Sequence, residues 1–262
     1  MKSVSRRALL IAAPAAALLA RVVPLEATTQ DAPAPASFPS HPLELVREMV
    51  GASHGNIARV RELVAERPAL ARAAWDWGYG DWETALGAAS HVGHRDIAEL
   101  LIANGAHPTI FSAAMLGHFE TVKAFVTATP GAQKIRGPHG ITLLQHARAG
   151  GARAASVVAY LESVGDADRG YPNESVEVGD LTGVYLFGAA ATDRLTVALN
   201  ARGALTIVRE GASERPLFHH GGRVFNPAGA EAVRVRFLPA TGRATSIAIE
   251  DGPVRVSAQR QS

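Results

Sequence analysis

The chain has 262 residues, of which 47% are hydrophobic and 19% charged, and a formal charge of +2. That leaves enough apolar material for a real core and excludes a chain disordered throughout. Cysteine is absent, so disulfides, zinc–thiolate sites and cysteine nucleophiles are excluded as well.

In chain order the first element is a leader. MKSVSRR is basic, and Ala8 to Ala20 is an apolar run of 13 residues broken only by Pro14. A membrane-spanning helix needs about 20 apolar residues, so this run is too short for an anchor and reads as an export signal over 1–27. Arg6-Arg7 sits directly at the edge of the run, after Ser5 and before Ala8-Leu9-Leu10, and resembles the twin-arginine signal of bacteria. That resemblance implies a periplasmic or secreted protein, cleaved after Ala20 or Ala27. Removing 1–27 takes away Lys2, Arg6, Arg7, Arg21 and Glu26, which turns the formal charge from +2 to −1. A near-neutral chain gives no electrostatic case for nucleic acid or an anionic membrane as partner. Residues 28–42, TTQDAPAPASFPSHP, place four prolines among small polar residues and read as a linker.

From 43 to 165 the pattern is helical and it repeats. Aligned on Gly55, Gly93, Gly117 and Gly151, four units are spaced by 38, 24 and 34 residues. The second unit is the clearest: Thr84-Ala85-Leu86, Ala89, Gly93-His94, Ile97-Ala98, Leu100-Leu101 and Asn104-Gly105-Ala106. The third keeps Ala113-Ala114, Gly117-His118, Val122 and Phe125, but it arrives early, so its hairpin loop must be nearly absent. The fourth has Thr142-Leu143-Leu144, Ala147 and Gly151, and the first has Gly55-Asn56, Val60, Leu63-Val64 and Pro68-Ala69-Leu70. This pattern resembles the ankyrin repeat, whose period is about 33 residues. The glycine makes a tight turn, the paired alanines allow close helix packing, and the apolar pairs face the next unit. One such unit cannot bury its apolar stripe alone; stacking does it.

Residues 166–178, DADRGYPNESVEV, are polar and read as a second linker. From 179 to 262 short alternating strands are expected. Leu195, Val197 and Leu199 alternate with Thr196, Ala198 and Asn200, and Val233, Val235 and Phe237 alternate with Arg234 and Arg236. Further strands are read at 183–187, 204–208, 246–250 and 254–258, with turns at 200–203, Gly221-Gly222, 239–242 and Asp251-Gly252. Some seven or eight strands in this length predict an antiparallel meander, closed or half-closed into a small barrel. The run resembles the small β-domains appended to exported bacterial serine hydrolases. The expected fold class is therefore α+β in two domains, a short ankyrin-repeat solenoid followed by a small antiparallel β-meander or barrel.

Nucleophile elbows and phosphate-binding loops are missing, since neither G-x-S-x-G nor G-x-x-x-x-G-K-[ST] nor G-x-G-x-x-G occurs. Among the ten histidines, His91 and His94 are three apart and His107 and His118 lie in adjacent repeat positions. His94 and His118 each follow a repeat glycine, where the ankyrin pattern places histidine to bond local backbone. His91 is read as a surface helix position able to meet a partner, with no carboxylate at suitable spacing to complete a metal site. His219-His220 is read as a surface pair at a turn of the β-domain. No catalytic residue, metal or cofactor is expected.

One stretch stands out. Trp75-Asp76-Trp77-Gly78-Tyr79-Gly80-Asp81-Trp82-Glu83 holds all three tryptophans of the chain, with Tyr79 and three acids. By alignment it is the hairpin finger leading into the second repeat, and it reads either as a binding surface or as a cap on a short solenoid. As a binding surface, Trp75, Asp76, Trp77, Tyr79, Asp81 and Trp82 suit a basic or proline-bearing peptide. The positions two and one before the repeat glycines add His91, Val92, Met115 and Leu116 as apolar or partner-facing residues of a concave face. The expected function is a non-enzymatic protein-binding module or adaptor of the bacterial cell envelope, with a protein partner. The alternatives are a carrier of a small apolar ligand in the β-domain, with a cavity beside Ala189, Ala190 and Ala191, and a hydrolase or metal enzyme using His219 or His220.

Overall fold

The computed structural model describes residues 40–168 and 176–261. The expected export signal, most of the first linker and the middle of the second lie outside the described residues. His41–Ser262 forms one compact unit that contains both the helical and the strand-rich parts.

Four antiparallel helix pairs run from the N-terminal side: α1 (Leu43–Ala52) with α2 (Ile57–Glu66), α3 (Ala85–Val92) with α4 (Arg95–Ala103), α5 (Ile110–Leu116) with α6 (Phe119–Ala128), and α7 (Leu143–Ala149) with α8 (Ala155–Val164). Three of the inner helices begin on a threonine. The side-chain oxygens of Thr84, Thr109 and Thr142 accept from the backbone N–H groups of Gly87, Ser112 and Gln145. Such a cap satisfies a donor that the first helical turn leaves open. Thr84→Ala is expected to lower stability by about 1 kcal/mol, read as a shift in the denaturant midpoint with unchanged slope.

Gly93 and Gly117 end α3 and α5 at φ of 81° and 77°. A Cβ there would stand 2.2 Å from the carbonyl oxygens of Ala149 and Arg153. Gly93 and Gly117 thus serve two demands, left-handed backbone and close approach of the fourth unit; the other two repeat glycines do not, since Gly55 has no positive φ and nothing lies within 4 Å of a Cβ placed on Gly151. The apolar stripes meet in two adjoining clusters. One joins Met49, Val60, Leu63, Leu70, Leu86, Ile97 and Leu101 with Met115; the other joins Val122, Leu143, Leu144, Val157 and Leu161.

The connections between pairs are unequal. β1 (Ala74–Asp76) and β2 (Trp82–Thr84) form a hairpin finger between the first and second pairs. Between the second and third pairs only residues 104–109 intervene, so the finger expected to be nearly absent is absent. A second finger, carried on residues 129–142 and pinned by the Arg136–Thr142 bridge, precedes α7.

The C-terminal part is a closed eight-stranded antiparallel barrel of β3 (Gly183–Leu186), β4 (Arg194–Leu199), β5 (Leu205–Arg209), β6 (Arg215–Gly221), β7 (Val224–Pro227), β8 (Arg234–Leu238), β9 (Ser246–Asp251) and β10 (Val254–Arg260). Each strand pairs with the next, and β10 closes on β3 through Gln259–Leu186 and Arg260–Tyr185. The alternating residues Leu195, Val197, Ile207, Val235, Phe237 and Ile247 point inward and pack with Tyr185 and Phe225. These side chains form the barrel's own core. Ala189 and Ala190 are exposed in the β3–β4 connection, so the cavity expected beside them is corrected: small side chains in a surface loop line nothing. His219 and His220 lie within β6 rather than in a turn. His219 Nε2 is 2.7 Å from Gly222 O and His220 Nε2 is 2.8 Å from Asn226 Oδ1, contacts that tie the β6–β7 hairpin.

Candidate functional site

The two fingers flank the place where the middle finger is missing, and across that gap they touch. His139, on the second finger, donates its backbone N–H to Asp81 Oδ1 at 2.9 Å, and its Nδ1 lies 2.7 Å from Asp81 Oδ2. His139 adopts φ 58°, ψ 15°, a left-handed conformation that costs a non-glycine residue energy and persists only where neighbours enforce it. Asp81 enforces it from two directions.

The barrel closes over the same point. Arg215, the first residue of β6, donates to Asp81 Oδ2 at 2.6 Å, to Ala228 O at 3.2 Å and to Trp77 O. Gly229, in the β7–β8 connection at φ 78°, passes so close that a Cβ would stand 2.2 Å from Asp81 Oδ1. The finger tip therefore lies against the chain's own barrel.

Glu83, two residues beyond Asp81 on β2, points to the same side of the finger because side chains alternate along a strand. Its carboxylate is fully buried. Trp77 Nε1 donates to Oε2 at 2.7 Å. Three imidazoles surround what is left: His54 Nε2 at 3.4 Å from Oε2, and His91 Nε2 and His139 Nε2 at 2.9 Å and 3.3 Å from Oε1. His54 comes from the α1–α2 turn and His91 from the last turn of α3. One donor atom from each of His54, Glu83, His91 and His139 lies within 4.8 Å of every other. The approach of His91 to Glu83 is not shaped as a hydrogen bond, and both Glu83 Oε1 and His91 Nε2 are buried without one.

The electrostatics follow from this packing. Burial pushes the Glu83 carboxyl up, but His139, His54 and His91 around it outweigh burial and hold it well below the usual carboxylate range. Asp81 behaves alike: burial raises it, and the bonds from His139 and Arg215 bring it below its ordinary value. Burial lowers His139, yet Asp81 and Glu83 raise it to about 9. His54 is raised by Glu83. His146, on α7 near His91, is lowered to about 4 by burial, which outweighs the bond to Thr142 O and the influence of Glu83. A cavity of about 380 Å³ opens beside the cluster, bordered by His54, Trp77 and His139 on the repeat side and by Arg215, Pro216 and Ala228 on the barrel side.

The expected binding residues divide. Trp82 is 63% exposed and Val92 41% exposed, both on the second repeat. Trp75, Trp77 and Tyr79 are half-buried: Trp75 and Trp77 pack on the repeat core, and Tyr79 lies under the Arg215 guanidinium. Asp76 accepts from the Gly78 N–H inside the finger. Asp81 is buried, so an acidic finger offered to a basic peptide is corrected: its strongest charge is already paired with Arg215. Met115 and Leu116 are buried as well, against the expectation of a solvent-facing position. The reason is local. A Cβ on Gly150 would stand 2.0 Å from Met115 O, and Arg95 Nη2 donates to the carbonyls of Met115 and Leu116, so neighbouring units cover the end of α5. His91 is corrected too. Its side chain is only 10% exposed and faces a carboxylate, Glu83, eight positions earlier. His94 and His118 stand at the N-caps of α4 and α6, and neither ring caps its helix.

His54, Glu83 and His139 are the functional candidates that sequence reasoning passed over. A signal existed for two of them. Glu83 closes the tryptophan-rich stretch. His54 immediately precedes the first repeat glycine, a position equivalent to Val92 and Leu116. His139 carried no such mark, because the second finger has no regular sequence pattern.

The ankyrin-repeat family model matches residues 81–112, which span β2, α3, α4 and the start of α5. The chain thus contains an ankyrin repeat, the class of unit that serves protein interaction. Among solved structures, the crystal structure of SurE matches at 21% identity over 44% of this chain, with a TM-score of 0.27. This chain spans 27% of that protein's length, and at that score the likeness carries no structural argument. The search of curated proteins returns no match. Among the described residues no helix is long and apolar enough to cross a membrane.

Proposed function

We propose that the chain is an exported, non-enzymatic adaptor of the bacterial cell envelope that holds a protein partner on the outer edge of its second repeat. The observation that carries this reading is Trp82, 63% exposed on the one repeat matched by the ankyrin family, with Val92 41% exposed on the same unit. A tryptophan left in water is costly to the free protein and contributes strongly when a partner covers it. Export rests on the leader pattern of residues 1–27, basic then apolar with Arg6-Arg7 at the boundary. The surface used is the finger's exposed strand, since the finger tip is occupied by the barrel.

Trp82→Ala is expected to change stability by less than about 0.5 kcal/mol, as exposed substitutions do, and to weaken partner binding about tenfold or more. The check is affinity capture from an envelope extract, comparing wild type with a Trp82→Ala variant whose circular dichroism is unchanged. A protein held by wild type and lost by the variant supports the reading. A partner retained equally by both removes Trp82 from the interface, and no partner for either removes the adaptor role.

A further inference from the structure

We infer that His54, Glu83, His91 and His139 form a binding site for one divalent transition-metal ion, zinc foremost, at the junction of the repeat stack and the barrel. The donor set fits that chemistry: imidazole nitrogens and a carboxylate are ligands for such ions, whereas magnesium and calcium take oxygen donors. The spacing is near what an ion needs. Ligands about 2.0–2.1 Å from a tetrahedral ion lie about 3.3 Å from one another; here Glu83 Oε1 is 2.9 Å from His91 Nε2 and 3.3 Å from His139 Nε2, His54 Nε2 is 3.4 Å from the other carboxylate oxygen, and one donor atom from each of the four residues lies within 4.8 Å of every other.

The hydrogen bonds around the cluster orient it inward. His139 Nδ1 faces Asp81 Oδ2 at 2.7 Å and His54 Nδ1 faces Gly51 O at 3.2 Å. Each acceptor favours a proton on Nδ1 and so directs Nε2 toward the centre, the arrangement that outer partners impose on metal-bound histidines; an ion there takes the place of any proton those nitrogens share with Glu83. Trp77 Nε1 fixes the carboxylate from its other side. What converges on the centre is therefore three ring nitrogens and a carboxylate oxygen. Among these, Glu83 Oε1 and His91 Nε2 are buried with no hydrogen-bond partner. Buried polar atoms left unpaired call for an explanation. Satisfying these contacts with protons alone puts a donor on each ring and three donors on one carboxylate, whereas one ion at the centre satisfies all four groups. The cavity bordered by His54 and His139 gives water or a small ligand a path to it.

The test uses the untagged full chain, stripped with a chelator and shown to remain folded by circular dichroism. Zinc is titrated against a competing chromophoric chelator. One equivalent bound by wild type is expected, with affinity reduced at least about 100-fold in both His54→Gln and His139→Gln. Both side chains are about one-third exposed, which favours folded variants. A second readout needs no variant: cobalt(II) added to the stripped wild type should show the intense visible bands of a four-coordinate nitrogen–oxygen site. Failure of folded wild type to take up one equivalent overturns the inference. So do zinc affinities in both folded variants equal to wild type, or a cobalt spectrum no different from the aqueous ion.

Discussion

Asp81→Ala is expected to lower the unfolding free energy by about 3–5 kcal/mol, the range seen when one partner of a buried ion pair is removed. Asp81 is 1% exposed and accepts three bonds, from the His139 backbone, the His139 ring and the Arg215 guanidinium. Its loss leaves Arg215, only 11% exposed, without its carboxylate. It also frees His139 to leave its left-handed conformation and loosens the contact between the two fingers, while Arg215 keeps its bond to Trp77 O. Chemical denaturation of Asp81→Ala, Arg215→Ala and the double variant measures the effect. The double variant should be destabilised by less than the sum of the singles, because the second substitution removes a charge that the first has already stranded. A strictly additive pair would mean that the junction does not depend on this contact.

Gly93→Ala is expected to cost about 2–5 kcal/mol, from two separable causes. The left-handed backbone costs about 1–2 kcal/mol for a residue with a Cβ. Overpacking adds about 1–3 kcal/mol, since the new Cβ would stand 2.2 Å from Ala149 O and 3.0 Å from Ala149 C, atoms of a helix end that cannot swing aside like a side chain. Gly105 isolates the first cause: its φ is 91° and nothing lies within 4 Å of a Cβ placed there. Gly105→Ala should therefore lose only the backbone part. Equal losses in the two variants, read from denaturant midpoints, would show that Gly93 is required for its dihedral alone and not for the approach of α7.

Much of the architecture was legible in the residues. Thr84 and Thr142 begin α3 and α7, and Gly93 and Gly117 end α3 and α5, because caps and left-handed turns are local demands that only a few residue types meet; Thr109, which begins α5, was not marked. The barrel strands with clean alternation, such as Leu195-Thr196-Val197 and Val233-Arg234-Val235, were legible for the same reason. β6 and β7 were not, since no clean alternation marks 215–227 and only the turn at Gly221-Gly222 was readable there; the structure turns at that point between the two strands. The finger was found, but not the use made of it. A sequence marks Trp75, Trp77 and Trp82 as alike, although two pack on the repeat core and one faces solvent.

The sequence by itself therefore determined a stack of helix pairs with one recognisable ankyrin unit, a missing middle finger and an antiparallel meander of strands, because periodicity, capping and chain length act over a few residues. Only the tertiary structure decided that the barrel seats on the fingers through Arg215, and that His54, Glu83, His91 and His139 meet. These four come from a helix turn, a strand, a helix end and a second finger. Their separations along the chain carry no period. What brings them together is the stacking of the repeats and the gap left by the absent finger, and both are properties of packing rather than of any local stretch of residues.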